Sequence, residues 1–204
     1  MKLKKSFYNR PTLRVAQELL GKYLVYRIGK KKIIGKIVET EAYVGPQDRA
    51  SHASRGRTPR TELMFGPAGH TYIYLIYGMY YCFNIVTEAK DYPAAVLIRA
   101  LEPIIPQTPF NHRQGGAGKG AKNPPLLVGG ISNGPGKLCR YLKIDKKLNG
   151  ADLTGNIIWV EDRKEKILPR EIARAKRIGI DYAGQWQKKK WRFYIKNNNF
   201  VSRI

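Results

Sequence analysis

Val38-Glu39-Thr40-Glu41-Ala42-Tyr43 sets two carboxylates two residues apart in a run of strand-forming residues. In an extended strand Ile37, Glu39, Glu41 and Tyr43 share one face. Burying two carboxylates there is costly without partners. Either the face is exposed and its charges are ordinary, or one carboxylate stands at a pocket edge as a general base, kept ionised by a cation. Arg99 is the best candidate for that cation. Val96-Leu97-Ile98-Arg99-Ala100-Leu101 places a single guanidinium in an apolar strand, where arginines normally have a carboxylate partner. Periodicity alone does not choose between Glu39 and Glu41 as the base.

Three further constellations bear on binding. Arg49, Arg55, Arg57 and Arg60 fall within twelve residues that contain no acid, a composition suited to phosphate contacts. His52 lies in the same stretch and on its own signals little; Ser51 and Ser54 beside it make no triad without a placed acid and oxyanion donors. Thr71 to Tyr81 holds five of the 13 tyrosines around Gly78. Alternating aromatics in a hairpin can be plain core. Tyr77 and Met79, however, flank the turn glycine, where loops are normally polar, and suit a wedge inserted between base pairs. Finally, Asn133-Gly134-Pro135-Gly136-Lys137-Leu138 offers glycines at a helix start followed by Lys137, a seat for one backbone phosphate. It is no nucleotide-triphosphate loop, because Ile131 and Leu138 stand where that pattern needs Gly and Ser or Thr.

The elements that must carry these residues follow from periodicity and turn chemistry. A helix is expected over Thr12 to Leu20, and a β-hairpin over residues 23–28 and 32–44 around Gly29-Lys30-Lys31. Residues 45–70 read as a long functional loop with one helical turn. Strands are expected at 71–77, 80–86, 94–102, 156–160 and 191–196, and helices at Lys137–Leu142 and Arg170–Ile178, the latter entered through Pro169 and stopped by Gly179. The Gly- and Pro-rich stretch 106–135 reads as a mobile connection. The fold class is α+β: a single domain, residues 1–204, with a curved antiparallel sheet core, a protruding hairpin and peripheral helices.

Charge points to a polyanionic partner. The chain of 204 residues carries a formal +23. Residues 1–60 are net +11, residues 61–105 net −2 and the remainder net +14, so a neutral aromatic middle lies between basic flanks. Flanks of that kind would grip phosphates while the middle meets bases. Cys82 and Cys139 are the only cysteines and form no ligand cluster, so neither metal nor organic cofactor is expected, and a reduced cytoplasmic setting fits, nucleoid-associated when on DNA. No apolar run is long enough for a membrane span, and the Met1-Lys2-Leu3-Lys4-Lys5 start does not lead into a signal peptide. A monomer is expected. The competing function class is a non-catalytic nucleic-acid-binding protein, which makes no demand for Glu41 and Arg99 together.

Several strings in order resemble one family, the alkyladenine (3-methyladenine) DNA glycosylases of the methylpurine type. They are Ile37 to Tyr43, Tyr74-Leu75-Ile76-Tyr77-Gly78-Met79-Tyr80, Leu97 to Pro103 and Gly134 to Cys139, within a likeness running from Phe7 to about Ser202. The resemblance implies a monofunctional enzyme that binds the minor groove of duplex DNA, flips out a damaged purine and hydrolyses its glycosidic bond, leaving an abasic site. It assigns Glu41 as general base, with Arg99 and the backbone carbonyl of Ile178 holding the attacking water. Tyr43 would stack on one face of the base, and His52 and Tyr74 on the other. The backbone at Ala50 and His52 would read the base edge, Leu97 would line the pocket, and Asn84 would crowd the exocyclic amine of guanine. Tyr77 would fill the gap in the duplex with Met79 beside it, while Gly136 and Lys137 would hold a phosphate.

Overall fold

The computed structural model describes residues 1–104 and 130–203, so most of the connection expected at 106–135 lies outside the described residues. A one-turn helix α1 (Lys5–Tyr8) and α2 (Thr12–Glu18) precede the hairpin β1 (Tyr23–Ile28) and β2 (Lys31–Val44). Residues 45–70 contain two 3-10 turns, His52–Arg55 and Glu62–Phe65. Strands β3 (Thr71–Ile76), β4 (Tyr80–Val86) and β5 (Ala94–Ile104) follow, then α3 (Pro135–Leu142), β6 (Ile158–Glu161), β7 (Ile172–Ala175) and β8 (Arg192–Ile195). All pairings are antiparallel in a curved sheet of order β3-β4-β5-β2-β1-β6, with β8 joining β2 and β7 outside β8.

The long strand β2 changes neighbours halfway. Residues 31–36 pair with β1, whereas Glu39, Thr40 and Glu41 pair with Tyr194, Phe193 and Arg192 of β8. At that crossover the ladder to β5 is irregular. Ile37 faces Leu101 and Glu39 faces Ala100, leaving Val38 extra; Thr40 then faces Ile98, leaving Arg99 extra. Bulges of this kind bend a strand and re-aim its side chains. Here they turn Arg99 onto the same side as Glu39 and Glu41.

The main core fills one side of the sheet. The α2 residues Val15 and Ala16, with Leu19 and Leu20 just beyond, pack on Leu24, Ile37 and Val38, while Leu138, Cys139 and Leu142 of α3 join Phe83 and Leu101. Each fully buried leucine contributes about 1.5–3 kcal/mol. Thr40 fastens α2 from the sheet by donating its hydroxyl to the Ala16 carbonyl at 2.8 Å. At the start of α3, a side chain on Gly136 would place its Cβ 3.0 Å from Tyr80, so glycine lets the helix end lie against the β3–β4 hairpin. Smaller clusters on the other side, Ala53, Met64, Tyr72, Val86 and Ala95, and Ala50, Ile180 and Ala183, frame the site instead.

One expected element is wrong. Residues 170–178 form no helix: Pro169–Glu171 is a single 3-10 turn, and Ile172–Ala175 is strand β7. Its pairing with β8, from Ile172 opposite Ile195 to Ala175 opposite Arg192, satisfies the backbone and overrides the local helix propensity of Ala, Arg and Lys. With the helix absent, Pro169 opens only the 3-10 turn, and Gly179, at φ +74°, stops no helix. The two short 3-10 turns within Asp181–Lys188, separated by a kink at Gly184 (φ +56°), have no counterpart among the expected elements.

Candidate active site

A cavity of about 300 Å³ opens on the sheet side away from the main core. It is lined by Tyr43 from β2, Ala50 and His52 from the loop, Tyr74 from β3, Asn84 from β4 and Leu97 from β5, together with Arg99, Ile178 and Tyr77. Six residues expected in a base pocket therefore do meet at one place. A pocket of this size suits a small planar ligand. Arg60 lies at its mouth, its guanidinium 5.3 Å from the centre of the Tyr74 ring.

Glu41 sits behind the cavity wall, fully buried, and so does Glu39, which rules out the exposed-face reading of this strand. Three wall residues hold Glu41. Ile178 N–H donates to Oε1 at 2.8 Å, the Tyr43 hydroxyl donates to Oε2 at 2.9 Å, and Arg99 Nη1 lies 3.4 Å from Oε1. Glu39 is engaged differently: Arg192 Nη1 donates at 2.8 Å, Ser202 N–H at 2.7 Å and the Ser202 hydroxyl at 3.0 Å, with Arg99 Nε at 3.3 Å. The partners of Glu41 belong to the cavity; those of Glu39, Arg99 apart, do not. Geometry thus separates two carboxylates that periodicity left equivalent.

Burial pushes the Glu41 carboxyl above the usual carboxylate range, a push opposed by Arg99, the Ile178 N–H and the Tyr43 hydroxyl. A base raised in this way binds a proton more strongly than a solvated carboxylate does. Burial, with Arg60 and Arg55 nearby, lowers His52 to about 4, so its ring is neutral at neutral pH. Its Nδ1 shares a 2.9 Å hydrogen bond with the Tyr72 hydroxyl. The His52 and Tyr74 rings meet edge to face, 4.5 Å between centres, and line the same cavity as Tyr43. Burial raises the phenols of Tyr43 and Tyr74 well above their ordinary value, so both stay neutral and electron-rich.

Residues that the sequence reading did not single out complete the wall. Arg177 and Asp48 form a fully buried ion pair, Nη2 to Oδ1 2.8 Å, and Arg177 also donates to the Ala42 carbonyl at 2.9 Å. The guanidinium carbon lies over the Tyr43 ring, 4.8 Å from its centre, and Tyr43 also lines the cavity. Asp48 accepts the N–H groups of Val44 and Ala50, which fixes the loop that lines the pocket. Tyr182, also in the lining, donates its hydroxyl to the Ala50 carbonyl at 3.3 Å. Among the described residues, the fully or nearly fully buried charges balance: Glu39, Glu41 and Asp48 against Arg99, Arg177 and Arg192.

Tyr77, which also borders the cavity, and Met79 project from the hairpin tip, 82% and 65% exposed. Tyr77 has φ +53° and Gly78 φ +68°, and the Met79 N–H closes the turn on the Ile76 carbonyl at 3.2 Å. A left-handed tyrosine is a strained choice at a position where glycine or asparagine is easier, and such strain concentrates at functional sites. Arg49, Arg55 and Lys137 are exposed, and Lys137 donates to the Asn133 side chain at 3.0 Å. Arg57 is less free than its acid-free neighbourhood implied, being paired with Glu62 at 2.8 Å and Asp91 at 2.5 Å. Asn84 is pinned inside the pocket by donating to the Tyr72 carbonyl at 3.0 Å. Among the described residues no cluster of His, Cys, Asp or Glu could hold a metal ion, and no helix is long and apolar enough to cross a membrane.

Comparison with known proteins places this architecture. The family model described as methylpurine-DNA glycosylase matches residues 6–199. Relatives named as candidate 3-methyladenine DNA glycosylases span nearly the same length. One from Desulfitobacterium hafniense is 46% identical over 98% of this chain and 98% of its own. One from Alkaliphilus oremlandii is 47% identical over the whole of both chains. One from Methanocella arvoryzae is 47% identical over 98% of this chain and 96% of its own. Given a match over nearly all of its length, the chain belongs to the methylpurine-DNA glycosylase family.

Proposed function

We propose that this protein extrudes an alkylated purine from duplex DNA and hydrolyses its N-glycosidic bond with one activated water, leaving an abasic site. The observation that carries this reading is the placement of Glu41. A fully buried carboxylate held by Arg99, Ile178 N–H and Tyr43, all of which line an aromatic cavity, is what a water-activating base beside a stacked ligand requires. A pure binding module gains nothing from burying it.

In this mechanism the target nucleotide leaves the stack at a cost of roughly a few kcal/mol. Stacking on Tyr43 and on the His52–Tyr74 pair returns about 1–3 kcal/mol per base. A methylated purine bearing positive charge is further attracted to the neutral tyrosine faces, and neutral His52 adds no repulsion. Water held by Arg99 and the Ile178 carbonyl gives a proton to Glu41 and attacks the sugar C1′. The C1′–N bond breaks and its electron pair leaves with the base. Asn84, which lines the cavity, crowds the exocyclic amine of a guanine in this reading. Arg49, Arg55, Arg60 and the Gly136–Lys137 helix start contact phosphates. The test of this reading is release of free 3-methyladenine from a methylated duplex, read by chromatography.

The exposed tip supplies a separate expectation. Tyr77→Ala should slow excision most for well-paired lesions and least for mismatched ones, because a wedge matters only where flipping is costly. Single-turnover rates on the two duplexes check this. Equal losses on both would mean that Tyr77 does not act as a wedge.

A further inference from the structure

The segment Val201–Arg203 closes the back of the buried charge cluster. Val201 is buried, and Ser202 reaches both carboxylate oxygens of Glu39, its N–H to Oε2 at 2.7 Å and its hydroxyl to Oε1 at 3.0 Å. The same hydroxyl accepts from Arg99 Nη2 at 3.5 Å. Next to it, the Arg203 carbonyl accepts from Arg192 Nη1 at 2.8 Å, the atom that also serves Glu39. One hydroxyl can donate and accept together, so Ser202 bridges the carboxylate and the guanidinium.

Arg99 needs that bridge. Its Nε lies 3.3 Å from Glu39 yet makes no aligned hydrogen bond, and its Nη1 is 3.4 Å from Glu41. The guanidinium is held between two carboxylates and locked to neither. We propose that Ser202 is a positioning residue for glycosidic cleavage: by satisfying Glu39 and anchoring Arg99, it keeps the guanidinium shared with Glu41. This inference rests on Glu41 being the base.

Removing the hydroxyl leaves Glu39 Oε1 short of one donor and Arg99 short of one acceptor. Arg99 then moves toward Glu39, and Glu41 loses part of the charge that keeps it ionised. The other groups around Glu41 cannot make up the loss. Tyr43 on its own strand, Tyr74 on β3 and Cys82 on β4 are neutral, their protons held more tightly than usual by burial. Arg192 on β8 is committed to Glu39, Arg177 to Asp48, and the Ile178 N–H is already bonded.

The test is single-turnover excision from a methylated duplex across pH, with lesion-duplex affinity measured alongside. Ser202→Ala should lower the plateau rate about 10- to 100-fold, the size expected for a lost hydrogen bond to a charged group. Its acid limb should move to higher pH, while affinity stays that of the wild type. Ser202→Thr keeps the hydroxyl and should restore both rate and limb. Glu39→Gln removes the competing charge and should move the acid limb the opposite way, to lower pH, an outcome that needs no Ser202 variant to fold. A wild-type rate and limb in Ser202→Ala would overturn the proposal, as would an unmoved limb in Glu39→Gln. Equal loss in a folded Ser202→Thr would also overturn it, since the hydroxyl would then not be the cause. The reading of Glu41 as base fails by a different result: an active Glu41→Gln.

Discussion

Glu41→Gln should lose on the order of 10²–10⁴ in single-turnover excision, the usual worth of a general base, or about 3–5 kcal/mol of barrier. The amide keeps the shape of the side chain and one acceptor oxygen, enough for either the Ile178 N–H or the Tyr43 hydroxyl, which bond to different oxygens of Glu41, but it takes no proton. Affinity for lesion duplex should persist or tighten slightly, because a negative charge has been removed near phosphates. The wild-type profile should show the same group. On a purine that already carries positive charge, no acid is needed for departure, so the rate rises with pH as Glu41 ionises and then levels off. Burial raises the Glu41 carboxyl, so that limb lies above the usual carboxylate range. An undiminished rate in the variant would remove Glu41 from the chemistry.

The largest effect on stability is expected at the pair behind Tyr43. Arg177→Met should destabilise the protein by about 3–5 kcal/mol, because Asp48 is left as an unpaired buried charge. Asp48→Asn with Arg177→Met should recover a large part of that loss, as removing both charges avoids the penalty. Denaturant unfolding of the single and double variants checks both statements. The double variant should still excise poorly. It lacks the guanidinium that lies over the Tyr43 ring and the carboxylate that accepts the Val44 and Ala50 N–H groups. A single variant within 1 kcal/mol of wild type would show that the pair is not the keystone of this wall.

The parts of the molecule legible in the sequence were those with local periodicity or turn chemistry. Residues 71–77 and 80–86 announced their hairpin through alternating aromatics around Gly78, and the strands run Thr71–Ile76 and Tyr80–Val86. Arg99 was legible as a lone charge in an apolar strand, and it does lie against both carboxylates. What the sequence hid was set by contacts distant along the chain. The Asp48–Arg177 pair joins residues 129 apart and Ser202 meets Glu39 across 163, so neither has a local signature. The same reason explains the false helix at 170–178. Its residues favour helix locally, and only the arrival of β8 makes Ile172–Ala175 a strand. Bulges at Val38 and Arg99 were equally invisible, since nothing in a run of β-branched and apolar residues marks an extra position.

In the proposed reaction one water, activated by Glu41, cuts the glycosidic bond and nothing else. This is tested most directly by following a duplex methylated to carry 3-methyladenine, with the products separated before and after alkali and with borohydride present during the reaction. The expected products are free base, a strand that stays whole until alkali cuts it at the abasic site, and no protein trapped on DNA. A strand already nicked without alkali, or a borohydride-trapped adduct, would mean that an amine of the protein is the nucleophile, and would contradict the proposed reaction.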